Sequence, residues 1–495
     1  MNRRIFYYES FIKGDIMLTY DFEKRGKQSL YEYLYNCIKV DILSGKIKAG
    51  EKLPSKREMA KNHNISVITV ENAYAQLIVE GYIYAQEKKG YFASEISEQY
   101  IKNGLHNNIQ GRKNNPKHNK ENKYIKNQLV NMKKDWLVDF NSNHIMYDSF
   151  PFSTWSRIMR QTLLDKENSF LVSPAPNGVL ELREAIASHL SHFRGMEVDK
   201  DNIIIGAGTE YLYSIIVQLL GSDSVIAVED PGYQKISKVY ESNGVKCLHL
   251  PIDQSGIQSK ALTGKKIDGV HISPSHHFPT GRVMPVSRRQ HLLNWARENH
   301  GFIIEDDYDS EFRFSGRPIP SMAGMDSDHV IYMNTFSKTL APSIRIAYMV
   351  LPDELMRKYN DQLNFYSSTV SSFEQYTLAN FISDGYYERH INRMRNYYRD
   401  YRNTIITAIK QSEIYSKVTI EEENAGLHFI LGIKKKINDE KFKEILRKNH
   451  INISSVSDYC YNDLEEFNHK FIINYSAVPK DKLTKALEIM NDALE

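Results

Sequence analysis

NTFSKTLAPSIRIAY, residues 334–348, is the stretch on which the fold of this chain turns. Lys338 stands among hydroxyl residues, with Thr335 and Ser337 before it, and Arg345 follows seven positions later. The run VIYMNT just upstream is strand-like, so Lys338 lies where a strand runs out into a loop. A lysine at such a junction can form a Schiff base with an aldehyde cofactor. Hydroxyls at Thr335 and Ser337 and a guanidinium at Arg345 can hold a phosphate. A surface lysine beside serines would look the same in isolation, so the neighbouring strings carry the decision.

Working outward, IIEDDYDSEF (303–312) sets acids and a tyrosine at a strand end. A buried Asp can pair with a protonated pyridine nitrogen, and a nearby Tyr can hydrogen-bond a cofactor phenolate. GAGTEYLYSII (206–216) places Gly208 and Thr209 at a helix N-terminus, where backbone N–H groups attract phosphate. EDPGYQ (229–234) offers Tyr233 to stack on a flat ring. Between these strings, strand-like runs (NIIIGAG, SVIAVED, DGVHISP, GFIIEDD, VIYMNT, RIAYMVL) alternate with amphipathic helical stretches. That alternation predicts an α/β fold with a mostly parallel sheet over residues 136–495.

The front of the chain has a different grammar. Leu30, Leu34, Ile38 and Ile42 recur at helical spacing and stop at Ser44-Gly45. Ser55-x-x-Glu58 has the form of a capping box and starts a second helix. Asn62–Asn64 read as a polar turn. Ser66 then caps a third helix with an apolar face of Val70, Ala73, Tyr74, Leu77 and Ile78, ended by Gly81. Tyr82 to Phe92 reads as a hairpin around Glu87-Lys88-Lys89-Gly90. Three helices and a hairpin make a winged helix-turn-helix over residues 22–95, whose third helix enters the major groove of double-stranded DNA. Ser55, Lys56 and Arg57 at the second helix start, Ser66, Val67 and Thr69 at the third, and Lys88 and Lys89 on the wing are the candidate DNA contacts.

Composition agrees with two modules and a spacer. Apolar residues make up 41% and charged residues 25% of 495, ordinary globular usage that excludes whole-chain disorder. Cys37, Cys247 and Cys460 are too scattered for a zinc cluster or a disulfide framework, as suits a reducing compartment. No run approaches the ~18 apolar residues of a membrane span, and the broken apolar stretch at the N-terminus is no signal peptide. A cytoplasmic protein is expected. Residues 1–135 hold 24 Lys and Arg against 15 Asp and Glu, a net of +9, and the remainder nets −6. A basic front on a mildly acidic body suits a polyanionic partner. Residues 96–135, Asn- and Lys-rich, read as a flexible linker. Residues 1–21 read as an N-terminal extension in which Met17 opens a natural start.

The strings ILSGKIKAGEKLPSKREMA, SVITVENAYAQLIVEGYI and KKGYF make the front resemble the GntR family of bacterial regulators. Val67 departs from the family's frequent Arg at that position; an apolar side chain can touch a thymine methyl but cannot bind guanine bidentately. The body resembles the fold-type I aminotransferases that use pyridoxal 5′-phosphate. The resemblance implies Lys338 as the Schiff-base lysine, Asp306 (Asp307 as the alternative) at the pyridine nitrogen, and Tyr308 at the phenolate oxygen. It implies Gly208, Thr209, Thr335, Ser337 and Arg345 at the phosphate, and Tyr233 stacked on the ring. In SPSHHFPTGRVMPVSRR (273–289), Phe278 stands where aminotransferases carry Asn, and His277 where related regulators tend to have Gln. In KFIINYSAV (470–478), Ile472 takes the place of the arginine that clamps a substrate carboxylate; Arg389, Arg393 and Arg395 are substitutes by charge alone.

End to end, the chain resembles the MocR family of transcription regulators. The resemblance implies a head-to-tail homodimer that binds a DNA operator and responds to a small amino compound or to the cofactor itself. A working aminotransferase with a DNA-binding appendage is the alternative.

Overall fold

The computed structural model describes residues 18–26, 28–87, 89–95, 136–141, 150–314, 319–424, 426–476 and 478–495. Residues 1–17, Lys88 and the expected linker at 96–135 lie outside them. The chain divides into two compact units, residues 1–129 and 130–495.

In the first unit, α1 (Leu30–Leu43) begins at a capping box in which Ser29 and Glu32 satisfy each other's end of the helix. After β1 (Lys52–Leu53), α2 (Lys56–His63) starts at a second such box, Ser55 with Glu58. Helix α2 continues through Asn62 and His63, so the turn begins two residues later than the sequence suggests. It is made by Asn64, whose left-handed backbone (φ 52°) closes the helix end. Helix α3 (Val67–Val79) leads to β2 (Ile83–Gln86) and β3 (Gly90–Ala93). The three strands form one antiparallel sheet in the order β1-β3-β2. Leu34, Ile38, Val70, Ala73, Tyr74 and Leu77 close the core between the helices. Ile78, expected in that face, is 39% exposed: a stripe through 70, 73, 74 and 77 leaves the next position at its edge. Leu18 is buried in the same core, and the Tyr20 hydroxyl donates to Asp41 at 2.9 Å.

The second unit is built on an eight-stranded sheet. Its strands are β5 (Ile203–Gly206), β6 (Val225–Asp230), β7 (Lys246–Asp253), β8 (Gly256–Ile257), β9 (Gly269–Ile272), β10 (Phe302–Asp306), β11 (Val330–Thr335) and β12 (Ala347–Val350), after a short β4 (Val138–Asp139). The order is β5-β12-β11-β10-β9-β6-β7-β8. Strands β11, β10, β9, β6 and β7 run parallel; β12 runs against both β11 and β5, which restores β5 to the common direction. All six strand-like runs of the sequence are strands here. Helices cover both faces, so the strands are continuous apolar runs: Ile304, Ile331 and Met349 pack toward the Thr209–Leu220 helix, and Val270, Ile303 and Val330 toward the Val286–Asn299 helix.

A smaller layer follows. Strands β13 (Val418–Glu421), β14 (His428–Ile433), β16 (Ser454–Ser455) and β17 (Lys470–Asn474) form an antiparallel sheet, while β15 (Ile451–Asn452) pairs with β4. The long Tyr386–Gln411 helix and the Lys480–Asp492 helix close its core. Among the described residues, no helix is long and apolar enough to cross a membrane.

Parallel strands put their C-terminal ends on one edge, and ligands of open α/β sheets bind there. Gly206, Asp230, Ile272, Asp306 and Thr335 are the last residues of β5, β6, β9, β10 and β11. The topology therefore gathers four sequence-distant strings at one place.

Candidate functional site

A cavity of about 460 Å³ opens at that edge, and Gly208, Thr209, Tyr233, Asp306, Tyr308, Thr335, Ser337, Lys338 and Arg345 all line it. Those are the nine residues that the aminotransferase resemblance assigns to the cofactor.

Asp306, the last residue of β10, and Asp307, just beyond it, point to opposite sides. Asp306 faces the cavity, where its Oδ2 accepts from the Tyr213 hydroxyl at 2.8 Å and lies 3.5 Å from His271 Nε2. His271 in turn meets the Tyr240 hydroxyl at 2.8 Å. Burial, with the Asp306 charge added, pushes the Tyr213 and Tyr240 hydroxyls well above 10, so both remain protonated donors. Asp306 Oδ1 is buried with no hydrogen-bond partner among the described residues. A buried carboxylate oxygen left open toward a cavity suits a cationic ring nitrogen. Asp307 points the other way, ion-paired with Arg194 at 3.0 Å and accepting from Tyr332 at 2.7 Å and Ser310 at 2.8 Å. It is a structural carboxyl turned away from the cavity.

Lys338 sits in the short Phe336–Thr339 helix that follows β11, started by Thr335, whose Oγ1 accepts the Ser337 N–H at 3.2 Å. Burial lowers the Lys338 pKa below its ordinary 10.5, with the Asp309 carboxylate pulling the other way. The Tyr308 hydroxyl donates to the His276 carbonyl at 2.9 Å, and the His276 ring is held by Asp309 at 2.9 Å. Gly426 permits this: a Cβ there would stand 1.8 Å from the His276 ring.

The cup at the start of the Thr209–Leu220 helix depends on Gly208. Its φ of +96° disfavours any side chain, and a Cβ would come within 2.6 Å of Arg345 Nη2. Arg345 itself adopts a left-handed backbone (φ 55°) and bonds Glu210 Oε2 at 2.8 Å. Tyr233 is 48% exposed, its ring edge-on to Phe278 at 5.8 Å. The buried donors, the open Asp306 oxygen and the glycine-shaped cup fit pyridoxal 5′-phosphate.

Among the described residues, no arginine faces the cavity from the C-terminal layer. Ile472 on β17 packs into core with Ile430 and Phe467. Arg389 and Arg395 are engaged with the carbonyls of Asp384 and Glu311, and neither they nor Arg393 line the cavity. Sequence reasoning missed Tyr213, His271, His276, Asp309 and Glu229. Tyr213, one helical turn beyond Thr209, had a legible signal; the others meet the site only through the strand order.

In the first unit, Ser55 Oγ accepts the Glu58 N–H at 3.2 Å, and Ser66 Oγ accepts the Thr69 N–H at 3.1 Å while its hydroxyl meets that of Thr69 at 2.8 Å. Lys56 reaches across to Glu71 on α3 at 2.5 Å, so it ties α2 to α3. Arg57 is exposed and has no ion pair among the described residues. Val67 (43%) and Ile68 (68%) stand exposed at the start of α3, and Lys89 is exposed in the wing turn. Ile68 was not singled out from the sequence, though it lies off the same buried stripe.

Comparison with known proteins agrees with both units. Residues 135–490 match the family "Aminotransferase class I and II", and residues 30–92 match "Bacterial regulatory proteins, gntR family". The HTH-type transcriptional regulator YdeL of Bacillus subtilis is 38% identical over 430 residues, 86% of this chain and 89% of that protein. The probable rhizopine catabolism regulatory protein MocR of Rhizobium meliloti is 28% identical, over 94% of this chain and 93% of its own. Kynurenine aminotransferase of Pyrococcus horikoshii, solved with PMP, superposes with a TM-score of 0.65 at 22% identity, over 78% of this chain and 95% of that one. Matched along nearly its whole length, and with a GntR-type module ahead of an aminotransferase domain whose cofactor is pyridoxal 5′-phosphate, the chain belongs to the MocR-type HTH transcriptional regulators.

Proposed function

We propose that this protein is a homodimeric transcription regulator that holds pyridoxal 5′-phosphate in the cavity at the sheet edge and alters its grip on a DNA operator when a small amino compound, or the cofactor itself, binds there. The observation that carries the reading is the convergence of nine residues, drawn from four distant strings, on one cavity of a chain that also holds a winged helix-turn-helix.

Lys338 would hold the cofactor's aldehyde carbon, Asp306 its pyridine nitrogen, Tyr308 its phenolate oxygen, and Tyr233 one face of its ring. The helix start at Gly208 and Thr209, with Thr335, Ser337 and Arg345, would take the phosphate. When bound, the cofactor supplies an electrophilic carbon and an electron-withdrawing ring that capture an amino group reversibly. The chain's own residues do the rest. Tyr213 and His271 hold the Asp306 carboxylate in place. Buried Lys338 yields a neutral amine at lower pH than an exposed lysine does. Asp309 and His276 fix Tyr308 through its backbone acceptor. Among the described residues, no cavity-lining cation stands on the C-terminal layer to grip a ligand carboxylate, which favours sensing over turnover.

On the DNA side, α3 presents Val67 and Ile68 to base edges in the major groove, and Arg57 and Lys89 meet phosphates. Two modules arranged head-to-tail would read paired half-sites. Ligand acts by binding the two states of the dimer with different affinity. The test is selection of DNA fragments by the purified full chain with and without pyridoxal phosphate, followed by titration of the selected operator with amino compounds. A selected sequence whose affinity changes with ligand, and loses that change in Lys338→Ala, is expected. Ligand-indifferent binding identical in the variant would overturn the reading.

A further inference from the structure

The phosphate cup contains an anion of its own. Glu210, two residues after Gly208 and in the first turn of the Thr209–Leu220 helix, turns its carboxylate back over the cup. Its Oε2 accepts from Arg345 Nη2 at 2.8 Å, and its Oε1 is paired with Lys235. Gly208 is closed in by the same two groups: a Cβ there would meet Arg345 Nη2 at 2.6 Å and Glu210 Oε2 at 2.9 Å. The carboxylate therefore lies on the guanidinium, at the mouth of the helix N-terminus, where a phosphate would lie. Burial raises its pKa, but the Lys235 bond, the backbone N–H at the helix start and the Arg345 bond outweigh that and hold it at about 2. It is an anion at neutral pH.

An acid in the first helical turn is common because it complements the helix dipole. That role needs no partner, yet Glu210 holds two of the cations that line the cavity, Arg345 and Lys235. We propose that Glu210 is a built-in competitor for the phosphate group: it occupies Arg345 and Lys235, and it must yield the guanidinium before a phosphate can take it. Glu210 cancels one of the two charges of Arg345 and Lys235, so this cluster presents one net positive charge, not two, to a group that carries nearly two negative ones. Replacing the carboxylate by an amide of the same shape would leave both cations to the ligand. The cofactor is then held less tightly than the cup's geometry permits, and its occupancy follows its concentration. This rests on reading the cavity as the cofactor site.

The test uses the full chain freed of cofactor. Pyridoxal 5′-phosphate and pyridoxal, which shares the aldehyde but lacks the phosphate, are titrated separately into wild type, Glu210→Gln and Lys235→Gln. Inorganic phosphate serves as a competitor. Glu210→Gln should tighten the phosphorylated ligand about tenfold, the scale of one charge-assisted contact, and make inorganic phosphate a better competitor, while pyridoxal affinity stays unchanged. Lys235→Gln should weaken the phosphorylated ligand alone. Equal affinity of wild type and Glu210→Gln for pyridoxal 5′-phosphate, or equal tightening toward pyridoxal, would overturn the proposal and leave the cavity assignment standing. Binding of neither aldehyde by any of the three proteins would overturn the cavity assignment and the competitor with it.

Discussion

At the scale of single residues, burial does most of the chemical work. Lys338 has its ammonium disfavoured by desolvation and partly restored by Asp309. The neutral amine, the form that attacks an aldehyde, is therefore populated at lower pH than in a free lysine. The rate of pyridoxal 5′-phosphate capture should rise with pH through an inflection below 10.5. Asp309→Asn should move that inflection lower still, because it removes the anion that favours the charged form; stopped-flow absorbance checks both, and an inflection that moves upward would contradict the assignment. Glu229 is the second case. Burial raises its pKa to about 8, against a pull from the Ser273 N–H it accepts at 3.0 Å. The folded state thus binds a proton that the unfolded chain, titrating near 4.5, has released. Stability is full below the unfolded value and falls as pH rises from there through about 8. Glu229→Gln keeps the acceptor and removes the titration, so its melting temperature relative to wild type should climb across that window and level off above it. A constant difference from pH 4 to 9 would show that Glu229 does not titrate there.

At the scale of elements, the two helix starts of the winged module are expected to divide affinity from selectivity. Arg57 is exposed on α2, whereas Lys56 is committed to Glu71. Arg57→Ala should weaken binding to all sequences and lower the salt slope by about one counterion. Lys56→Ala should act mainly by loosening α2 from α3. Val67, exposed at the start of α3, should behave differently: substitution should change which base is preferred, by about 1–3 kcal/mol where a base contact is made or lost. Binding to a randomised operator library, measured at several salt concentrations, separates the two effects. Identical shifts on every sequence from both variants would remove α3 from the groove.

For the whole molecule, the balance between sensing and catalysis should follow from how a ligand carboxylate is held, and among the described residues no C-terminal arginine lines the cavity. Sustained transamination needs the substrate held so that its reacting C–H bond stands perpendicular to the ring, and poor positioning costs orders of magnitude. Ile472 is packed in core and the cavity's cations are Lys235, Lys238, Lys338 and Arg345. Spectral shifts with amino compounds should therefore occur without turnover near the ~1 s⁻¹ at the low end of ordinary enzyme rates. A multi-turnover keto-acid assay over a panel of amino acids and amines, run beside operator binding, checks this. Turnover at such rates would make the protein a working aminotransferase.

The sequence by itself determined the two fold classes, all six strand runs, the helix starts at Ser55 and Ser66, and Lys338 with its hydroxyl and guanidinium neighbours. These are local signals: periodicity, capping and strand-end chemistry are written within about ten residues of one another. Which aspartate faces the cavity was not local, because Asp306 and Asp307 are adjacent and only the pleat of β10, set by its pairing with β9 and β11, sends one to Tyr213 and the other to Arg194. The antiparallel insertion of β12, the Asp309–His276–Tyr308 contact and the clasp of Glu210 on Arg345 were likewise decided only by tertiary structure. The pairing of β12 with β5, the His276 contacts and the Glu210–Arg345 clasp each join residues more than 30 positions apart, and strand order in the sheet, not spacing along the chain, brings such groups within reach of one another.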